Sequence, residues 1–208
     1  MFTYFETQDY RIRKIEVSDV DPIYNNWAQE MEVALYTTWV PHKSLAETTA
    51  YVEKCIDGWN RNSYTWTIEN KATSEISGSF AARVDGHKIE VGYLLAQPHW
   101  GSGIMTEVVS SFINKAFQNQ SAQRVGAVCD VQNTASRKVM EKAGMQYEGI
   151  LASWMLHPNM GPEARDCHSL GISRAHYNQY QQQTNLQFHR TWLTPESMHL
   201  SISRFDKC

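Results

Sequence analysis

A mixed α/β fold follows from three features of the sequence. Strand-like runs alternate with stretches of about 3.6-residue apolar periodicity, in the order β-α-α-β-β-β-α-β-α-β-β. Asp85-Gly86 sits between two strand-like runs and marks a tight hairpin. Glu90 to Thr106, EVGYLLAQPHWGSGIMT, reads strand, glycine turn, helix.

The elements follow in order. Tyr10 to Ile15 alternates as a strand, and Ser18, Asp21 and Pro22 mark a helix start. That helix carries Ile23, Tyr24, Trp27 and Met31 on its apolar face. Ser44-Leu45-Ala46-Glu47 is a capping box opening a second helix, with Val52, Cys55, Ile56 and Trp59 on one side. Tyr64 to Glu69 and Glu75 to Val84 read as strands, and the hairpin leads into the strand at Glu90, which Pro98 ends. A long helix from Ile104 ends near Gln118, and Arg124 to Val131 is strand-like. Asn133 caps the next helix, and Gly144 suits the position just past its end. Met145 to Met155 and Cys167 to Ile172 are the last strands, and a helix can start after Ser173.

Composition narrows the function. A chain of 208 residues supports one sizeable core, assigned to residues 1–177, with 178–208 as an extension packed on it through Phe188, Trp192 and Leu193. A net charge of −3 without a Lys/Arg run argues against nucleic acid as a partner. The N-terminus lacks the pattern of a signal peptide, and no apolar run is long enough for a membrane span, which points to a cytoplasmic protein with no membrane partner. Cys55, Cys129, Cys167 and Cys208 show no paired spacing, so no metal site is expected.

The turn after the Glu90 strand is the first candidate site. It leaves the first amides of the following helix unpaired, and with the helix dipole they favour a phosphate. The spacing fits neither a dinucleotide fingerprint, which needs a glycine at Thr106, nor a P-loop, which needs Gly-Lys-Ser/Thr. Strand, Gln97-Pro98-His99-Trp100-Gly101-Ser102-Gly103 and helix together resemble the acyl-CoA pyrophosphate loop of the GNAT superfamily of N-acetyltransferases. Trp-Gly-x-Gly-Ile-Met-Thr-Glu is similar to its RimJ/RimL branch. Pro98 stands where that family usually carries Arg or Gln. A second stretch, Asn133-Thr134-Ala135-Ser136 followed by Glu141-Lys142-Ala143-Gly144-Met145, matches the family's Asn-x-x-Ser helix and its ending.

The resemblance implies a mostly antiparallel central sheet flanked by helices and splayed at the acyl-CoA site, with acetyl-CoA as donor and an amine as acceptor. It implies contacts to the donor from Val91, Tyr93, Leu94 and Leu95 on the strand. Trp100, Gly101, Ser102, Gly103, Ile104, Met105 and Thr106 would hold it at the turn, and Asn133 and Ser136 beside the pantetheine arm. The tyrosine that often acts as general acid is replaced by Met140, which carries no proton to give, so Ser136 or a water it holds is the candidate partner of the leaving thiolate. Glu90 starts the central strand, as the catalytic glutamate of several members does. It is the candidate base, a role that burial would favour, with a strand-end glutamate in solvent as the alternative. An amide between Val91 and Leu95 would hold the oxyanion.

A Trp27, Trp39, His42, Ser44-Leu45 pattern also has the RimJ/RimL form, and Trp27, Tyr36, Trp39 and Asp166 are the candidate acceptor-binding residues. For Tyr36 and Trp39 the alternative is cover for the core, and for Asp166 a turn acid. The function expected is acetyl transfer to a primary amine of a protein, peptide or small molecule. A non-catalytic acyl-CoA-binding protein on the same fold is the alternative, and a second copy of the chain is a candidate partner.

Overall fold

The computed structural model of the chain describes residues 1–179 and 181. The chain divides into a unit spanning Met1–Ile172 and a second that begins at Ser173, where residues 174–179 are helical. The extension expected over 178–208, with Phe188, Trp192 and Leu193, lies almost wholly outside the described residues.

Eight strands among the described residues make one sheet. They are β1 (Tyr4–Glu6), β2 (Tyr10–Lys14), β3 (Ser63–Asn70), β4 (Ile76–Asp85), β5 (Lys88–Leu95), β6 (Arg124–Asp130), β7 (Gln146–Leu156) and β8 (Ala164–Ser173). The spatial order is β1-β2-β3-β4-β5-β6-β8-β7. Strands β1 to β5 pair antiparallel in succession, as do β7 and β8. The hairpin expected at Asp85-Gly86 is present: Asp85 pairs with Lys88 across a two-residue turn, with Gly86 at φ 56°. Strands β5 and β6 are parallel, and α4 (Ile104–Ala116) makes the crossover between them.

Period-2 alternation divides the side chains between two faces. Trp66, Phe80 and Tyr93 stand opposite one another on β3, β4 and β5. Phe112 of α4 packs on this face, 4.7 Å from Phe80 and 5.9 Å from Trp66 between ring centroids, with Phe2 and Phe5 around it. Thr67, Ser79 and Leu94 point the other way. There Leu94 packs on a core of Ile15, Val20, Ile23, Trp27 and Val52, supplied partly by α1 (Val20–Ile23) and α3 (Leu45–Gly58). Ser44 caps α3 as its sequence demands, accepting from the Glu47 amide.

The first helix differs from expectation. Glu16 and Asp19, rather than Ser18 and Asp21, form the capping box. The Asp19 carboxylate is buried and takes two nitrogens of the Arg13 guanidinium, at 2.7 and 2.9 Å. After Ile23 the chain makes a π turn over Tyr24–Ala28, breaks at Glu30, and resumes as α2 (Met31–Ala34). The wider π turn changes the angular phase, so Met31 faces solvent while Trp27 stays in the core. No helix of the described residues is long and apolar enough to cross a membrane.

Candidate acyl-transfer site

The parallel pairing of β5 with β6 is short. Lys88, Ile89 and Glu90 stand opposite Arg124, Val125 and Gly126, and past Glu90 the two strands part. A cavity of about 420 Å³ opens at the fork, lined by Val91 to Leu94, Ala127 to Cys129, Asn133, Ser136 and the Tyr36–Trp39 segment. Alternation sends Val91 and Tyr93 to the α4 side, and Glu90, Gly92 and Leu94 to the α1–α3 side. One gap thus joins two chambers on opposite faces of the sheet. Along Val91 to Leu95 every second backbone amide points into the gap, where the expected oxyanion donor would have to be.

At the far end of β5, Gln97–His99 forms a single turn, and Gly101 and Gly103 follow at φ 73° and 87°. These are left-handed conformations that favour glycine. The Trp100 indole N–H donates to the Leu95 carbonyl at 2.8 Å, and the Ser102 hydroxyl to that of His99 at 2.6 Å. Both bonds brace the turn internally. The first helical bond of α4 runs from the Glu107 amide to the Gly103 carbonyl, so the amides of Ile104, Met105 and Thr106 lead out of the helix end. The side chains of Ile104 and Met105 are buried in the core, so any contact they make to a donor is through the backbone. The same holds for Leu94, whose side chain belongs to the core of the other face.

Helix α5 (Thr134–Lys142) faces this chamber. The Asn133 side chain accepts from the Ser136 amide at 3.0 Å, which fixes the first turn. The Tyr93 hydroxyl lies 3.1 Å from both the hydroxyl and the carbonyl oxygen of Ser136. Cys129 also reaches Ser136, and burial pushes its thiol up to about 11, so the group stays protonated. Met140 is fully buried one turn further on, and supplies no proton there.

In the other chamber Tyr36, Trp39 and Tyr51 form an aromatic wall along the cavity. Glu90 also lines the cavity and is exposed, as in the alternative of a strand-end glutamate in solvent, at the mouth of the fork opposite Arg83 of β4. Two expected acceptor residues lie elsewhere. Trp27 is 2% exposed inside the core. Asp166 faces solvent and accepts from the Ser153 amide at 2.8 Å, holding a bulge in β7 where Ser153 adopts φ 47°.

The buried acid near this chamber is instead Asp130. Burial would raise its carboxyl, but bonds from Arg165 at 2.5 and 3.2 Å and from the Gln132 amide at 2.8 Å, with the charge of Arg165, hold it below the ordinary carboxylate range. His157, also buried, donates from Nδ1 to the Thr37 carbonyl and turns Nε2 toward Asp130 at 3.7 Å. Asn159 donates to the carbonyls of Ala34 and Trp39 at 2.7 and 2.8 Å, so the turn after β7 holds the aromatic segment in place. Asn159→Ala is expected to cost about 2 kcal/mol from two lost hydrogen bonds, read as the shift in a urea unfolding midpoint.

Comparison with known proteins agrees with this architecture. The model of the acetyltransferase (GNAT) domain matches residues 10–146. The uncharacterized N-acetyltransferase YoaA of Bacillus subtilis is 28% identical over 74% of this chain and 89% of its own length. A GNAT-family acetyltransferase from Bacillus anthracis superposes with a TM-score of 0.72 at 21% identity, over 82% of this chain and 98% of that one. RimL, a ribosomal L7/L12 alpha-N-protein acetyltransferase in complex with coenzyme A, superposes with a TM-score of 0.71 at 18% identity, over 80% and 95% of the two chains.

Proposed function

The chain belongs to the GNAT acetyltransferase family, and from that premise we propose that it moves an acetyl group from acetyl-CoA to a primary amine by direct attack in a ternary complex. The observation that carries this is the fork itself: one gap in the sheet, with a glycine turn at one end, Ser136 on one face and an aromatic wall on the other. The coenzyme A in the RimL structure and the RimJ/RimL form of the turn support the donor. The residues present fit it. A Cβ built at Gly101 or Gly103 meets nothing within 4 Å, so open space lies beside the amides that would take the pyrophosphate.

The donor supplies the activated acetyl group. In this reading the amides along Val91 to Leu95 hold the carbonyl oxygen as it gains charge. The Ser136 hydroxyl donates to the leaving sulfur, whose conjugate acid has a pKa of about 8.5, so modest help suffices. Glu90 takes the amine proton through a water, since an exposed carboxylate works as a relay rather than as a buried base. An acceptor α-amine, with a pKa of about 8, needs less of this help than a lysine at about 10.4.

Glu90→Gln and Ser136→Ala test these roles. Each is expected to lower turnover between about 10- and 100-fold, with acetyl-CoA affinity unchanged. Turnover is read as thiol release with a pool of peptides and small amines, and affinity as the acetyl-CoA-induced shift of the unfolding temperature. Parent-like turnover in both variants would refute the roles. The buried Met140 favours one second reading, an acyl-CoA-binding protein without catalysis. That protein would show the thermal shift and no thiol release.

A further inference from the structure

We propose that Tyr93 is a positioning residue for acetyl transfer: its hydroxyl holds Ser136 so that the serine hydroxyl meets the leaving sulfur. The proposal rests on the acetyl-transfer reading above. Tyr93 projects from β5 just past the point where β5 and β6 part, on the α4 side, and it lines the cavity with Ser136. Its oxygen is 3.1 Å from Ser136 Oγ and 3.1 Å from the Ser136 carbonyl oxygen.

The hydrogens available fix what this contact can do. A phenol has one hydrogen and a carbonyl oxygen only accepts. While the Tyr93 hydrogen lies on the Ser136 carbonyl, the serine hydroxyl is free to donate to the phenol oxygen. When a sulfur arrives in the cavity, only that serine hydrogen has to rotate, and no heavy atom moves. Tyr93 can then turn its own hydrogen onto Ser136 Oγ, which makes the serine a better donor. Burial raises the phenol well above its ordinary pKa, so Tyr93 stays protonated and acts as a donor, never as the acid itself. The serine amide is held separately by Asn133, while Tyr93, with Cys129, reaches the serine hydroxyl. With Met140 buried and apolar, Tyr93 brings a hydroxyl from the sheet to a helix that carries no phenol at that position.

The test is a double-mutant cycle of Tyr93→Phe and Ser136→Ala. Thiol release from acetyl-CoA is followed with whichever pooled amine the parent accepts, or as basal hydrolysis where it accepts none. Tyr93→Phe removes one oxygen and keeps the ring in place. It is expected to lower kcat about 10-fold, the worth of one hydrogen bond, with the acetyl-CoA Kd within about twofold. The double variant is expected to match Ser136→Ala alone, because the phenol acts only through the serine. Two results overturn the proposal with the acetyl-transfer reading intact: losses that multiply in the double variant, or parent-like Tyr93→Phe beside an impaired Ser136→Ala. A parent-like Ser136→Ala overturns the serine's role and that of Tyr93 with it. A parent that neither binds nor turns over acetyl-CoA overturns the whole reading.

Discussion

A Gly103→Val protein is expected to gain only about a degree of unfolding temperature from acetyl-CoA, where the parent gains several. Gly103 sits at φ 87° as the residue preceding α4, where a β-branched side chain is strained. That strain costs about 1–2 kcal/mol of fold stability and leaves the core untouched. The larger effect falls on the ligand, because the valine side chain would fill the open space beside the amides of Ile104 and Met105. Losing two charge-assisted hydrogen bonds weakens binding by at least about 100-fold. Acetyl-CoA at about 100 times its parent Kd stabilises the parent by roughly 2.7 kcal/mol, but the variant by only about 0.4 kcal/mol. In a chain of this length that is a shift of several degrees against one of about a degree. A parent-sized shift in the variant would place the phosphates somewhere other than this turn.

Arg165→Met is expected to lose about 3 kcal/mol of stability at pH 7, and to regain part of it in acid. Asp130 is 1% exposed, so removing its cation leaves a buried carboxylate without its main partner. In the parent the folded carboxyl lies below its unfolded value. Its contribution is therefore present above about pH 4 and lost as pH falls through the lower, folded value. Without Arg165 the effect of burial prevails and the folded value rises above the unfolded one. The variant is then penalised most at neutral pH, and the penalty shrinks as pH falls through the raised value. Urea midpoints at pH 7 and pH 5 check this, with the gap between parent and variant expected to narrow at the lower pH. A gap that stays constant would show that the charge of Asp130 is not what Arg165 holds in the fold.

What the sequence made legible is local. The turn from Trp100 to Gly103, the Ser44 and Asn133 caps and the Asp85-Gly86 hairpin each depend on residues within one turn of one another. Short-range chemistry fixes them wherever they sit in the fold. Pairings between distant strands were not legible. Asp130 meets Arg165 across 35 positions, and Tyr93 meets Ser136 across 43, and neither spacing leaves a mark on the local pattern. Asp166 was placed beside the cleft, yet Arg165, its neighbour in the chain, is the one that reaches Asp130, because successive residues of a strand point to opposite faces. Met31 failed for a different reason: the π turn changes which residues face inward, and periodicity read at a constant pitch cannot follow it, whereas Trp27, given to the acceptor by resemblance, keeps the core side that periodicity assigned it. Strand β1 has only three residues, too few for alternation to show.

With the donor bound as proposed, the three-rung seam between β5 and β6 would make it a structural member of the domain. Five strands stand on one side of that seam and three on the other, and beyond Glu90 and Gly126 no backbone rung joins the two blocks. A pantetheine arm carries two amide groups, the same donors and acceptors that a strand offers. Lying in the gap, it would supply rungs that the polypeptide omits and tie the two blocks together while it is bound. Occupancy and rigidity would then rise together, and an amine arriving second would meet an assembled sheet in place of two separable ones.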